Sequence, residues 1–284
     1  MSLDRTYAPE DLKRTQEVLL DILKDVIRVC DQNNITIFAE GGTAIGAVRH
    51  GGFIPWDDDI DLWVLREDYE KLKNILPEQL DARFGADNWL DEKDFPAPNL
   101  CVYAKGSISV PVEMKGCKYK YGISLGIYPY DNIPDDEKKA AAQIKRGWVL
   151  GKIHWLKMLP FPYIPHKGIK RFLIHAVCGV GHVFLKLVPN KLIVNACEKT
   201  CRLYNDTQTS RMTIVMAQNP RRNIIEKGKI FPPVVFDFDG VKINLPACYD
   251  ELLTREYGNY MQIPPKDKQK NHFPCELKFP EDKD

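Results

Sequence analysis

Hydrophobic and polar positions alternate with helical spacing near the start of the chain. Pro9 opens a helix that is predicted to run to about Asn33, because apolar side chains recur every three or four residues along it. An apolar run at 35–39 then predicts a buried strand. The next strand is predicted to end at Val64, and a second helix to run from Glu67 to Leu76, where Pro77 stops it.

The remaining pattern predicts strands, one long helix and a hairpin. Residues 99–131 have the composition of two or three strands, and residues 135–155 have that of a helix. Two β-forming runs flank Asp239-Gly240, which predicts a hairpin over 232–246. A last helix is predicted from Tyr249 to Tyr257, ending at Gly258. Strands and helices mixed in this order predict the α/β (α+β) class, with a mixed sheet flanked by helices.

A dense group of acids precedes the strand that ends at Val64. Asp57, Asp58, Asp59 and Asp61 place four carboxyl groups in five positions. Such a group repels itself at neutral pH unless a cation lies within it, and a divalent metal is the common answer. In the alternation Asp59-Ile60-Asp61, the two acids project from one face of the strand. They could hold Mg²⁺ against a phosphate group.

Two other interpretations of the acids were weighed. A run of acids is often a solvated turn, but these acids interrupt an apolar strand. The spacing of the acids also resembles a calcium loop. An EF-hand needs glycine at its sixth position and glutamate at its twelfth, where this chain has Leu62 and Asp68. The sequence therefore excludes an EF-hand.

A glycine-rich turn lies upstream of the acids. Gly41 and Gly42 allow backbone amides to approach an anion, and the helix that follows adds unpaired N–H groups at its first turn. Thr43 could cap that helix or donate its hydroxyl to a phosphate oxygen. Arg49 could reach anionic oxygens or pair with the acids as a structural counter-ion. A glycine turn, a short helix and a strand with two carboxylates form a nucleotidyltransferase-type pattern.

The stretch GGTAIGAVRHGGFIPWDDDIDLWV resembles the signature of the LicD family, whose animal relatives include the fukutin group. Two further segments, ISLGIYPYDNIP and LPACYDELLTREYGNYMQIPP, are similar to later parts of the family pattern and occur in the same order. The resemblance implies a nucleotidyltransferase-like fold in a single domain. We expect a core over about 9–135 and 210–265, a helical insertion over about 136–209, and a flexible tail over about 266–284.

The resemblance also implies the chemistry. Family members move a phospho-alcohol, typically phosphocholine from CDP-choline, onto a glycan hydroxyl. Asp59 and Asp61 match the metal-binding pair, here for Mg²⁺ or Mn²⁺, and Asp57 matches a further acid. Gly42 and Thr43 match the phosphate-facing turn, to which Gly41 and Arg49 are added as donor-phosphate contacts.

One position departs from the family pattern. Many relatives carry an acid where this chain has Gly126, and that acid is the usual candidate for a third catalytic carboxylate. Asp131 remains on the same strand and is predicted to act as the general base, while Glu113 could stand in for the lost acid. A nucleotidyltransferase that transfers NMP, and a weakened pseudoenzyme that binds glycan or nucleotide, are the alternative functions.

Composition limits the partners and the location. The chain has 40 Lys and Arg against 39 Asp and Glu, and no basic stripe interleaved with aromatic residues, so no nucleic-acid partner is expected. The first residues contain no apolar segment typical of a signal peptide. We expect a cytoplasmic protein with reduced cysteines, or one at the inner face of the membrane. Cys197 and Cys201 lack nearby partners for a zinc site.

Residues 151–190 mix apolar residues with lysine, histidine and proline. The first interpretation is a packed helical hairpin that covers the sheet. The second is a membrane-surface patch that would suit a lipid-linked glycan acceptor. Its apolar run, 172–185, is too short to span a bilayer. The residues assigned to the patch are Trp155, Phe161, Lys167, Lys170, Arg171, Phe172 and Lys186.

Overall fold

The computed structural model describes residues 7–159 and 168–281, and its centre is a mixed sheet of nine strands. Seven α-helices accompany this sheet in the described ranges. The strands are β1 (Phe38–Ala39), β2 (Asp61–Leu65), β3 (Phe84–Asn88), β4 (Leu100–Ala104), β5 (Ile108–Val110), β6 (Ser124–Ile133), β7 (Arg211–Thr213), β8 (Ile225–Glu226), β9 (Val234–Phe238), β10 (Val241–Leu245) and β11 (Glu276–Lys278). The helices are α1 (Pro9–Gln32), α2 (Gly41–His50), α3 (Arg66–Gln79), α4 (Glu137–Met158), α5 (Gly168–Lys186), α6 (Asn190–Cys201) and α7 (Tyr249–Tyr257).

The order of the strands places β2 in the middle of the sheet. The order is β3-β4-β6-β2-β1-β10-β9, with β7 and β8 continuing from β6, while β5 and β11 form a separate pair. β2 runs parallel to β6 and antiparallel to β1, and β1 runs parallel to β10. The class predicted from the sequence, a mixed sheet flanked by helices, is confirmed. The start of β2 therefore has a strand on each side of it.

β2 is buried on both of its faces. Leu62 and Val64 belong to the main apolar core, to which α1 also contributes. On the opposite face, Trp63 stacks on Phe38 at 4.2 Å between ring centroids and lies 4.3 Å from the ring of Tyr130. Apolar side chains on both faces hold the strand in the interior and fix its register with the neighbouring strands. The acids at the start of β2 are thereby attached to a rigid part of the fold.

Two local predictions are confirmed, and one is wrong. The first helix ends at Gln32, within a residue of the predicted boundary. The hairpin forms from β9 and β10, with Asp239 at φ 49° and Gly240 at φ 82°, as a tight turn of this hand requires. Pro77, however, does not stop α3. The helix continues to Gln79 because only the last turn follows the proline, so the single backbone hydrogen bond that it removes lies near the helix end.

The segment after residue 265 was predicted to be a loose tail, and the structure corrects this for its described part. β11 pairs with β5 in an antiparallel ladder. The Phe273 ring meets the Tyr7 ring edge-on at 4.9 Å, and Phe279 is buried. A short β ladder and two anchored aromatic rings explain why a polar, proline-containing segment is held against the core.

The helices α4, α5 and α6 lie between β6 and β7, where the insertion was expected. Asp136 caps α4 by accepting a hydrogen bond from the Lys139 N–H at 2.9 Å. Among the described residues, α5 is the one helix with the length and apolar composition needed to cross a membrane. It is longer than the 14-residue run considered from the sequence. Phe161 and Lys167 of the predicted patch lie outside the described residues.

Candidate active site

Three neighbouring strands bring Glu40, Asp61 and Gly126 into one row across the sheet. The Glu40 N–H donates to the Asp61 carbonyl at 2.9 Å, directly after the β1–β2 pairing of Ala39 with Leu62. On the other side, Asp61 is the register partner of Gly126 in the parallel pair β2–β6. Residues opposite each other on adjacent strands project from the same face. Asp61 therefore has a carboxyl neighbour on one side and a glycine on the other.

The acids before β2 form a crowded and partly buried cluster. Burial raises the pKa of Asp57 to about 8, and the charges of Asp59 and Asp58 add to this effect. Burial and the charge of Asp59 raise the pKa of Asp61 to about 7, although a hydrogen bond with Tyr128 partly offsets them. The charge of His272 offsets these effects only in part. Such a cluster is suited to binding a cation.

Asp58 holds two distant segments beside the cluster. Its Oδ1 accepts a hydrogen bond from the His272 backbone N–H at 2.8 Å, and the Tyr7 hydroxyl also bonds to its side chain. The His272 ring nitrogen Nδ1 lies 3.2 Å from Oδ2 of Asp59. Hydrogen bonds to Asp58 and Asp59 raise the pKa of His272 to about 11, so the imidazolium partly balances the acids. No local pattern in the sequence indicated a role for His272.

The backbone of the glycine turn lies so close to the acids that a side chain would not fit between them. A Cβ atom at Gly42 would lie 2.8 Å from Oδ2 of Asp57, so any side chain there would displace the carboxylate. Gly41 has φ 49°, and a Cβ atom on it would lie 2.9 Å from the Tyr257 hydroxyl. Both positions therefore need glycine. Tyr257 belongs to the C-terminal Tyr-Gly-x-x-Met segment, which the fold brings to this turn.

Thr43 positions the start of β2. It is buried, and its hydroxyl oxygen accepts a hydrogen bond from the Asp61 backbone N–H at 2.9 Å. The first turn of α2 follows Glu40 directly, and the Glu40 side chain does not cap it. The first N–H groups of a helix have no partner within the helix, and the role predicted for these groups at a phosphate stays a prediction.

Glu40 is a buried carboxyl group that the sequence analysis did not single out. Its Oε1 accepts a hydrogen bond from Nδ2 of Asn223 at 2.6 Å. Its Oε2 is buried and has no partner among the described residues. Burial raises the pKa of Glu40 to about 8, and the nearby Glu256 adds to this. A buried acid without a counter-ion beside Asp61 is typical of a functional position. In the sequence, the position of Glu40 directly before the glycine turn was the feature that could have indicated its role.

The space beside Gly126 explains why no acid occupies that position. A Cβ atom there would lie 2.9 Å from Nδ2 of Asn99 and 3.0 Å from Oδ1 of Asp61. It would also lie 3.0 Å from Cε2 of Tyr128. The Asn99 amide and the Tyr128 ring therefore fill the volume that a third carboxylate would need. The absence of an acid at position 126 therefore goes together with the packing of Asn99 and Tyr128 against Gly126.

We expect the substitution Gly126→Ala to lower both activity and stability, because three atoms must move to admit one methyl group. Overpacking of this kind costs about 1–3 kcal/mol. Chemical denaturation measures the free energy of unfolding. Gly228→Ala is the matched control, since a Cβ atom at Gly228 meets no atom within 4 Å. Equal, small effects of the two substitutions would show that the site tolerates a side chain at 126.

Asp131 does not lie with the acid cluster, and its predicted place beside the metal pair is corrected. It follows Gly126 by five residues on β6, or roughly 16 Å along the strand. Its two carboxylate oxygens accept hydrogen bonds from Nε and Nη2 of Arg66 at 2.8 and 2.6 Å, and Oδ1 also accepts from Asn205 at 2.7 Å. Asp131 is thus one partner in a buried ion pair.

Arg49 also differs from its predicted role at the donor phosphate. It lies in the last turn of α2, whereas the glycine turn forms the first, and the helix is about 15 Å long. Its guanidinium donates to the backbone carbonyls of Tyr260 and Gln262. Arg49 therefore anchors the segment after α7. Glu113 lies exposed on a 3-10 turn between β5 and β6, with no contact to the acids in the described part of the chain.

The donor set at the cluster fits a divalent metal. Asp57, Asp58 and His272 each offer a ligand atom, and these atoms lie within 4.8 Å of one another. Asp59 and Asp61 add two carboxylates to the same region, as the effect of the Asp59 charge on the pKa of Asp61 shows. Carboxylate oxygens favour Mg²⁺, and an imidazole in the set also admits Mn²⁺.

Comparison with known proteins matches the part of the chain that carries this site. Residues 34–116 match the family described as LicD/FKTN/FKRP, nucleotidyltransferase domain. The chain is 26% identical over 276 residues to a lipopolysaccharide cholinephosphotransferase, LicD, of Haemophilus influenzae, covering 92% of this chain and 95% of that protein. It is 40% identical over 50 residues to the ribitol 5-phosphate transferase FKRP of Homo sapiens, or 18% of this chain and 10% of that protein.

Proposed function

Because the chain belongs to the LicD family of phosphotransferases, we propose that it moves a phospho-alcohol from a CDP-activated donor to a glycan hydroxyl. The acceptor is a cell-surface glycan or its lipid-linked precursor. One observation carries the proposal: Asp57 lies against Gly42, so the acid cluster and the phosphate-facing turn form one site. Phosphocholine is the favoured unit, because the relative that matches 92% of the chain is named a cholinephosphotransferase.

Asp57, Asp59 and Asp61 would hold a Mg²⁺ or Mn²⁺ ion. When bound, such an ion neutralises negative charge on the donor diphosphate and on the departing CMP. The raised pKa values of Asp57 and Asp61 support this assignment, since the charge of His272 offsets burial and the neighbouring acids only in part. His272 lies beside Asp59 and would adjust its position when a metal takes over the balancing charge.

The glycine turn would bind non-bridging oxygens of the donor. The first-turn amides of α2, from Gly41 to Thr43, can donate to these oxygens, and the positive end of the helix dipole favours the anion. The Tyr257 hydroxyl lies next to Gly41 and is a further donor to the same group. Fixed donors of this kind stabilise charge without reorganising during the reaction.

Glu40 would accept the proton of the attacking glycan hydroxyl. With Asp131 paired to Arg66, Glu40 is the buried carboxyl group that neighbours Asp61 and has a free oxygen, Oε2, among the described residues. General-base catalysis requires such an oxygen within reach of the acceptor. Asn223 holds the other oxygen, Oε1, and so fixes the orientation of the carboxyl group.

We expect Glu40→Gln to lower turnover by about 10²-fold while raising the stability of the metal-free protein. The amide keeps an oxygen for Asn223 but removes a carboxyl group whose charged form is disfavoured by burial. Turnover and the free energy of unfolding are both measured. Asn223→Ala is the comparison, since it should lower turnover less and should not stabilise the fold. Unchanged turnover in Glu40→Gln would reduce Glu40 to a structural role.

The function is tested by incubating the protein with CDP-choline and Mg²⁺, with and without EDTA, and identifying the products. Release of CMP that stops with EDTA supports the proposal, even as slow hydrolysis without an acceptor. Formation of pyrophosphate from a nucleoside triphosphate, or labelling of a target with a nucleotide, would instead support NMP transfer. Stoichiometric binding of CDP compounds without turnover would support a pseudoenzyme.

A further inference from the structure

The outward side of α5 is an apolar surface that the fold leaves uncovered. Apolar residues recur there every three or four positions, so they form one stripe along the helix. Each of these side chains is between 56% and 81% exposed, which is unusual for large apolar residues on one surface. We call the stripe the α5 face; its residues are Ile169, Phe172, Leu173, Val177, Val180, Val183, Phe184 and, directly after the helix, Leu187.

The opposite side of α5 is held by α4. Nδ1 of His182 lies 2.9 Å from the Leu156 carbonyl oxygen. Nζ of Lys157 donates to the carbonyl of Leu185 at 2.8 Å and to that of Val188 at 2.6 Å. These contacts fix the end of α5 against α4. The α5 face is therefore presented outward by a supported helix and is not its packing side.

The segment of the chain that contains the α5 face carries charges of one sign. Residues 138–191 contain 11 lysines and arginines and no aspartate or glutamate. The remainder of the chain carries 29 lysines and arginines against 39 acids, a net charge of −10. Lys170 and Arg171 lie at the start of α5 and Lys186 at its end, and all three are exposed. Basic residues that flank an exposed apolar stripe complement an anionic lipid surface.

We propose that the α5 face docks the protein on an anionic lipid bilayer, with the helix lying in the plane of the interface. Residues 172–185 are the uncharged stretch between Arg171 and Lys186, and their length of about 21 Å is less than the roughly 30 Å of a hydrocarbon core. One side of the helix is also occupied by α4. A helix of this kind lies on a membrane rather than crossing it.

Binding to vesicles tests the proposal without reference to any activity. Co-sedimentation is measured with vesicles of phosphatidylcholine alone and with vesicles that contain about one-third phosphatidylglycerol. We expect binding to the anionic vesicles that weakens by at least about 10-fold in high salt. Weak binding to the neutral vesicles is expected, because the apolar stripe alone provides the remaining attraction.

Matched variants distinguish binding through the α5 face from non-specific binding through other exposed apolar residues. The triple variant Phe172→Ser/Val177→Ser/Phe184→Ser should weaken binding at least about 10-fold, since it removes apolar surface that enters the bilayer. The control triple variant Leu203→Ser/Val235→Ser/Ile263→Ser removes apolar side chains that are 49–57% exposed elsewhere, and it should bind as the unchanged protein does. Lys170→Glu/Arg171→Glu should abolish the preference for anionic vesicles, whereas Lys266→Glu/Lys268→Glu should not.

Three results would overturn the proposal. The first is the absence of vesicle binding, or an equal loss of binding in the two triple variants. The second is attachment that resists high salt and alkaline carbonate and yields only to detergent, which indicates a spanning helix. The third is a lipid-free dimer, seen by light scattering, that the Phe172→Ser/Val177→Ser/Phe184→Ser variant converts to a monomer. That last result would assign the α5 face to a second copy of the chain.

Discussion

Replacing Asp61 by asparagine should reduce the rate of CMP release by at least ~100-fold and leave the fold intact. The loss of one preorganised electrostatic contact has an effect of this size. Asparagine preserves the shape of the side chain at the start of β2, where the Asp61 N–H bonds to Thr43. Single-turnover rates at saturating donor separate loss of chemistry from loss of binding.

The same substitution should change how stability depends on pH and metal. Burial and the charge of Asp59 raise the pKa of Asp61 to about 7, so the folded metal-free protein holds a proton that the unfolded chain has lost above about pH 4. Metal-free stability therefore falls as pH rises through this window. Asp61→Asn should remove the part of this fall that Asp61 contributes, while Asp57 and Glu40, whose pKa values are also raised, keep theirs. The stabilisation by Mg²⁺ should in turn be larger at about pH 8 than at about pH 6, because ligands must lose their protons.

Asp87 provides the control for Asp61. Burial raises its pKa as well, but it lies on β3 and bonds to the Tyr119 hydroxyl, away from the acid cluster. Asp87→Asn should leave both CMP release and the response to Mg²⁺ unchanged. If both substitutions lowered the rate equally, the role of Asp61 in metal binding would have to be abandoned.

Asp131→Ala should lower the free energy of unfolding by about 3–5 kcal/mol, the cost of leaving a buried charge without its partner. Arg66 and Asp131 are both buried, and their two-point hydrogen bonds connect the start of α3 to β6. Arg66 also lies 3.3 Å from Glu198 of α6, so the same network attaches the helical insertion to the sheet. Urea denaturation followed by circular dichroism measures the loss.

Glu17→Ala is the control for this pair, because Glu17 and Lys13 form an exposed ion pair on α1. Its loss should cost less than about 1 kcal/mol. The milder Asp131→Asn variant then tests the role predicted from the sequence. If the fold is kept and CMP release is lost, Asp131 would be the general base after all. Retained release per folded molecule would confirm the structural role.

Features that depend on neighbouring residues were predicted correctly from the sequence. The hairpin follows from Asp239-Gly240 between two β-forming runs, and the projection of Asp61 from the face opposite Ile60 and Leu62 follows from strand alternation. Each of these signals lies within a few residues of the feature that it determines. The prediction that Pro77 ends the helix was wrong because the effect of a proline depends on how many helical residues follow it.

Features that depend on distant partners could not be predicted. Asp131 and Arg66 are 65 residues apart, and Glu40 and Asn223 are 183 apart. No local pattern indicates which acid meets which partner, so a strand acid that resembled a catalytic base was placed in the wrong part of the site. The glycine at 126 was likewise visible, but Asn99 and Tyr128 had to be located in space before its meaning was clear.

The contact of His272 with Asp58 and Asp59 also has a consequence during protein synthesis. The two residues of the hydrogen bond are 214 positions apart, and β10, the parallel neighbour of β1, is also made late. At about 5–20 residues per second, the ribosome needs roughly 10–40 s to pass from the acids to the histidine that covers them. A nascent chain interrupted in that interval would carry the complete acid motif without a finished site.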